Sequence, residues 1–170
     1  MYVKEYVLEK SLQQITTYQA GAKQASVHRS LQQLCDQILE PFGISKMQWL
    51  IIGHVLDAEK AGVRISDLAN TLSTTIPFIT NAVNVLEARG YLQRNENEHD
   101  SRSKLLTIHP NFAPHCQKIE LALRKGLRET LYASIDPEDF KVYIKVLFQI
   151  DAATRKNNRQ STPTSSTFKK

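Results

Sequence analysis

Residues 65–92 read Ile65-Ser-Asp-Leu-Ala-Asn-Thr-Leu-Ser-Thr-Thr-Ile-Pro-Phe-Ile-Thr-Asn-Ala-Val-Asn-Val-Leu-Glu-Ala-Arg-Gly-Tyr-Leu92. The spacing predicts two short helices. Ser66 is the expected N-cap of the first, with Leu68, Ala69 and Leu72 facing inward. Ser73, Thr74 and Thr75 form a tight polar turn. Thr75 then caps the second helix, and Pro77 falls in its first turn, where a missing N–H does no harm. Ile79, Ala82, Val83 and Leu86 give that helix an apolar face, and Arg89 and Gly90 end it with a basic last turn and a glycine C-cap.

Immediately downstream the period changes. Tyr91 to Arg94 and Lys104 to Ile108 have strand composition, and Asn95 to Ser103 between them is polar and rich in turn formers. This is a hairpin with a long polar tip. Two helices across a short turn, followed by such a hairpin, is the order in which a winged helix presents one helix to the major groove and a loop to the minor groove.

Working outward, Ser45 is the expected N-cap of a helix through Trp49, Leu50, Ile52, Val55 and Leu56 that stops near Ala61 and Gly62. Val27, Leu31, Leu34, Cys35, Ile38, Leu39 and Phe42 mark an earlier amphipathic helix from Ser26 to Phe42. A further helix over Tyr2 to Tyr18 is set off from it by a weakness or break at Gly21. On the other side, Asn111–Tyr132 and Pro137–Thr154 are helical, the second capped by Asp136. The predicted fold is mainly α with a small β-hairpin wing, a winged helix-turn-helix flanked by N- and C-terminal dimerisation helices. The expected parts are dimerisation helices over 1–44, the DNA-binding domain over 45–110, further dimerisation helices over 111–155, and a disordered basic tail over 156–170.

The 170 residues, 41% hydrophobic and 23% charged, suffice for one core. The formal charge of +5 says little about nucleic acid. Five basic residues and no acidic one follow Thr154, and setting them aside leaves 17 basic residues against 17 acidic ones. The case for DNA therefore rests on local pattern. No run of about 18 apolar residues occurs, and no basic and apolar leader opens the chain, so a soluble cytoplasmic protein is expected. Cys35 and Cys116 are far apart and read as buried free thiols, and His99, His109 and His115 have no metal spacing; neither metal nor cofactor is expected. An enzyme is not expected either, because no nucleophile elbow, phosphate loop or zinc motif is present. The helices around so small a winged domain carry more apolar surface than it can cover, which points to a two-fold dimer.

Four segments together resemble the MarR family of winged helix-turn-helix transcription regulators. They are Gly43-Ile-Ser-Lys-Met-Gln-Trp-Leu50, Ile65-Ser-Asp-Leu-Ala-Asn-Thr-Leu72, Leu86-Glu-Ala-Arg-Gly-Tyr-Leu92 and Asp100-Ser-Arg102. The resemblance implies a homodimeric, ligand-responsive repressor that reads a pseudo-palindrome in double-stranded DNA. It implies Arg102 at the wing tip entering the minor groove, with Asp100 orienting it. It also implies a small aromatic effector, for which Tyr18, Phe42, Trp49 and His54 are of suitable type and region. The DNA-binding candidates are Thr74, Thr75, Ile76, Pro77, Thr80, Asn81, Asn84, Arg94, Arg102 and Lys104.

From Thr75 to Ala88 there is no Lys or Arg, so guanine readout by arginine is absent from the recognition helix. Asn81 can pair with adenine, Thr80 can bond a base edge or a phosphate, and Ile76 or Pro77 can pack on thymine methyls. An A·T-rich operator is expected. The rival reading is a winged protein-interaction module that has lost specific DNA binding.

Overall fold

The computed structural model describes residues 14–97 and 103–160. These divide between Gly126 and Leu127 into two units. The first unit holds the winged elements together with helices on both sides of them.

In the first unit, α1 (Thr17–Leu39) starts at a capping box in which Thr16 and Gln19 satisfy each other's backbone N–H groups. It runs unbroken through Gly21, contrary to the expected break, since one glycine in a helix costs only about 1 kcal/mol. A 3₁₀ turn over Glu40–Phe42 and a left-handed Gly43 then reverse the chain. The second helix, α2 (Lys46–Asp57), begins at the expected Ser45, again as a capping box, with Gln48. Asp36 of α1 adds a second tie, its Oδ1 accepting the Lys46 N–H at 2.7 Å. The helix ends at Asp57, and a 3₁₀ turn (Glu59–Ala61) carries the chain to Gly62.

The helix-turn-helix is α3 (Ile65–Thr71) and α4 (Ile76–Ala88). Arg64, not Ser66, is the N-cap of α3, and it caps without a side-chain hydrogen bond. Thr75 caps α4 as expected, accepting the Phe78 N–H at 3.4 Å. Ile79, Val83 and Leu86 of α4 are wholly buried, and Gly90, at φ +71°, closes the helix in the left-handed conformation that suits glycine. The hairpin follows as β1 (Leu92–Glu96) paired antiparallel with β2 (Lys104–Ile108), Arg94 standing opposite Leu106.

Val63 adds a bridge that the sequence pattern did not reveal. Its backbone exchanges two hydrogen bonds with Leu106, at 3.0 and 2.8 Å, and so ties the start of α3 to the wing. Gly62 makes this approach workable. Its φ is +67°, and a Cβ there would lie 2.9 Å from that of Leu105. Around this frame α2 packs on β2 and α4, α3 on α4, and α4 on β1. Ile51, Ile52 and Val55 of α2, Leu92 of β1 and Leu106 of β2 are buried in the same core, each worth about 1.5–3 kcal/mol of transfer free energy.

Helix α5 (Ala113–Leu127) buries Cys116, Ile119 and Leu123, and a π-helical turn (Arg128–Tyr132) follows it. The second unit holds that turn and α6 (Pro137–Gln160), started by Asp136, whose carboxylate accepts the Glu138 N–H at 2.8 Å. The helix extends past Thr154 through residues assigned to the disordered tail; residues 161–170 lie outside the described ones. Tyr132 and Phe140 pack with ring centroids 4.5 Å apart, yet Val142, Val146, Phe148 and Ile150 all stay exposed. Among the described residues, no helix is long and apolar enough to cross a membrane.

Candidate nucleic-acid interface

The outward side of α4 follows from its inward side. With Ile79, Val83 and Leu86 turned into the core, the helical period leaves Pro77, Asn81, Asn84 and Val85 exposed on the opposite side. Thr75 and Ile76 are exposed at the N-terminal end, and Thr74 is half-buried in the turn before it. The α4 candidates Ile76, Pro77, Asn81 and Asn84 thus share the exposed part of one helix.

Thr80 is more restricted than its residue type suggests. Its hydroxyl donates to the Ile76 carbonyl at 2.8 Å, one turn back along the helix. With the proton committed, the oxygen can accept from an adenine or cytosine amino group but has nothing to give a phosphate.

Arg94 is more restricted still. From β1 its Nη1 donates to Glu87 Oε2 at 2.6 Å and its Nη2 to Asn84 Oδ1 at 2.7 Å, both on α4. The guanidinium thus joins the wing strand to the recognition helix, and its charge is already opposed by Glu87. Lys104 is paired with Glu96 across the hairpin at 3.0 Å, and this hydrogen bond and charge hold the Glu96 carboxyl below the usual glutamate range. Both side chains are exposed, so the pair is readily exchanged. Toward the tip, Asn97 donates to Ser103 Oγ at 2.8 Å and draws the strand ends together. Asp100 and Arg102, on which the wing reading rests, lie outside the described residues, as does His99.

The four effector-pocket candidates are not gathered round one cavity. Phe42 lines a cavity of about 380 Å³ with Arg89, Tyr91, Phe112, His115 and Ile119, in which the Tyr91 and Phe112 rings stack at 4.0 Å. Tyr18 sits in the first turn of α1, 81% exposed. Phe42 follows the other end of that helix, on the order of 30 Å away at 1.5 Å per residue. Trp49 and His54 of α2 line neither this cavity nor the groove beside Val55, Gln93 and Thr107. Arg89, missed as a candidate, caps the reversal between α1 and α2 by donating to the Gly43 carbonyl. No local pattern signals it, since the two residues are 46 positions apart. Cys35 and Cys116 are both free and buried, and burial pushes both thiols up, away from the reactive thiolate.

Comparison with known proteins agrees with this geometry. Residues 42–103 match the MarR family model. The transcriptional regulator SarA of Staphylococcus aureus is 26% identical over 88 residues, 52% of this chain and 68% of SarA. Among solved structures, AbsC, a MarR family transcriptional regulator from Streptomyces coelicolor, superposes with a TM-score of 0.71 at 21% identity, covering 84% of this chain and 97% of AbsC. The S. aureus MepR–DNA complex superposes at 0.66, with 21% identity over 82% of this chain and 99% of MepR. The helix-turn-helix of α3 and α4 and the β1–β2 hairpin coincide with the segment, residues 42–103, over which this chain is similar to the MarR family.

Proposed function

We infer that the protein is a transcription regulator that binds double-stranded DNA sequence-specifically, with α4 in the major groove and the wing reaching the minor groove. The observation that carries this reading is the exposed row of Pro77, Asn81 and Asn84 on a helix whose other face is locked into the core. A rigid backing holds readout groups in fixed register. Thr75 supports it from the helix end. Its oxygen accepts the Phe78 N–H, which leaves the O–H to donate to a phosphate at the positive end of the helix dipole. The relation of the fold to MepR, solved as a DNA complex, points the same way.

The protein acts as a homodimer on a pseudo-palindrome. The exposed apolar residues of α6 support this, since Phe148 is 73% exposed and its neighbours Val142 and Val146 are open as well. Small-molecule control of a repressor is the reading that the Phe42 cavity supports, with stacked aromatic rings on its wall. The test is DNA binding by Arg102→Ala. Affinity falls at least tenfold while fold and dimer survive, and the salt dependence flattens. Unchanged affinity would favour the protein-interaction module, a reading to which the exposed Ile76, Phe78 and Val85 of α4 lend some surface.

A further inference from the structure

Asn84 and Arg94 were both candidates for touching DNA, yet they are bonded to each other. Asn84 Oδ1 accepts from Arg94 Nη2, so the amide orientation is set and one of the oxygen's two lone pairs is in use. Its Nδ2 has no partner among the described residues and, with the oxygen's second lone pair, is left to meet a ligand. An asparagine that reads adenine in the major groove needs both atoms, the oxygen to accept from N6 and the nitrogen to donate to N7. Asn84 can offer them only in the orientation in which Arg94 holds it. Arg94 cannot swing to a phosphate without giving up Glu87 as well, a charge-assisted bond of 2.6 Å.

We propose that Arg94 is a positioning residue which, anchored by Glu87, fixes the Asn84 amide in one orientation, so that base discrimination at this position depends on the wing strand. Asn84 then presents its donor and its remaining acceptor lone pair to a base edge in one register, and discrimination at this position depends on that register. The wing strand thereby sets the specificity of the recognition helix without contacting DNA. This rests on the DNA-binding reading above.

The experiment is an unbiased selection from a random duplex library with the full-length protein, followed by binding to the selected site across a range of salt. Wild type, Arg94→Met, Arg94→Lys, Asn84→Ala and the double variant Arg94→Met/Asn84→Ala are compared, with melting and light scattering as controls for fold and dimer. Discrimination at one position per half-site is expected to fall about tenfold in Arg94→Met. The salt slope is expected to stay unchanged, because no phosphate contact is lost. Arg94→Met adds nothing further once Asn84 is alanine. Arg94→Lys keeps the charge next to Glu87 but lacks the rigid fork whose two nitrogens hold Glu87 and Asn84 together, so it loses the same discrimination. Should Arg94→Met not fold, Arg94→Lys carries the test. A slope reduced by about one per chain with base preference intact overturns the proposal, as do additive effects of the two substitutions. Absence of any selected sequence with wild type overturns the DNA reading itself, and this proposal with it.

Discussion

Two amphipathic helices, α4 and α6, are used in opposite ways. Both carry an apolar stripe, but α4 buries Ile79, Val83 and Leu86 completely against its own chain, whereas α6 leaves Val142, Val146, Phe148 and Ile150 exposed. The buried apolar face of α4 leaves its other side exposed on a rigid backing, as the proposed contact with DNA requires. The apolar face of α6 has no such backing within its own unit, which is the condition a second copy of the chain would satisfy. Amphipathicity alone therefore says that a helix wants a partner, and the packing says whether the chain supplies one.

The largest expected effect breaks the α4 side. Leu86→Ala removes a wholly buried side chain and is expected to cost about 2–5 kcal/mol, read from the shift in denaturation midpoint. On the α6 side, Val142→Glu with Phe148→Glu places charge on exposed positions and leaves the winged core alone. Light scattering is expected to fall from twice the 19.3 kDa chain mass to once that mass, with helix content kept. A dimer that persisted would show that α6 is not its interface. Gly62→Ala is expected to cost about 1–3 kcal/mol, because the backbone sits at φ +67° and the added methyl meets Leu105 and the Leu106 carbonyl.

The smallest effect lies at the wing. The Glu96–Lys104 pair is fully exposed to screening, and Lys104→Ala should leave the denaturation midpoint unmoved. Its trace is the Glu96 carboxyl itself, expected to titrate below the usual glutamate value in wild type and to return to it in the variant. The sign follows from a depressed native pKa. Whatever the pair contributes is present at neutral pH and disappears as pH falls through the glutamate range. Carboxyl titration by NMR measures it.

Much of this arrangement was readable from residue order. Thr75 with Pro77, Ser45, Asp136, Gly90 and the strand Lys104–Ile108 all obey local rules of capping, turning and alternation, and they stand where those rules put them. Other features were hidden because they depend on long-range partners. Gly62 reads as a helix stop, and its role under Leu105 needs the hairpin to be folded. The expected break at Gly21 failed because the flanking residues are good helix formers that outweigh one glycine. Arg94 reads from the sequence as a DNA contact, since nothing in the sequence indicates that its guanidinium bonds Glu87 and Asn84 of α4. The effector candidates were chosen by residue type, and type does not say that Tyr18 and Phe42 lie at opposite ends of α1.

The most direct test of the central claim is an unbiased selection of duplex DNA by the purified, full-length protein. The account predicts enrichment of an A·T-rich site with two-fold symmetry and half-sites about one helical turn apart. A pool that shows no enrichment over its starting composition, with the protein folded and dimeric throughout, would contradict it.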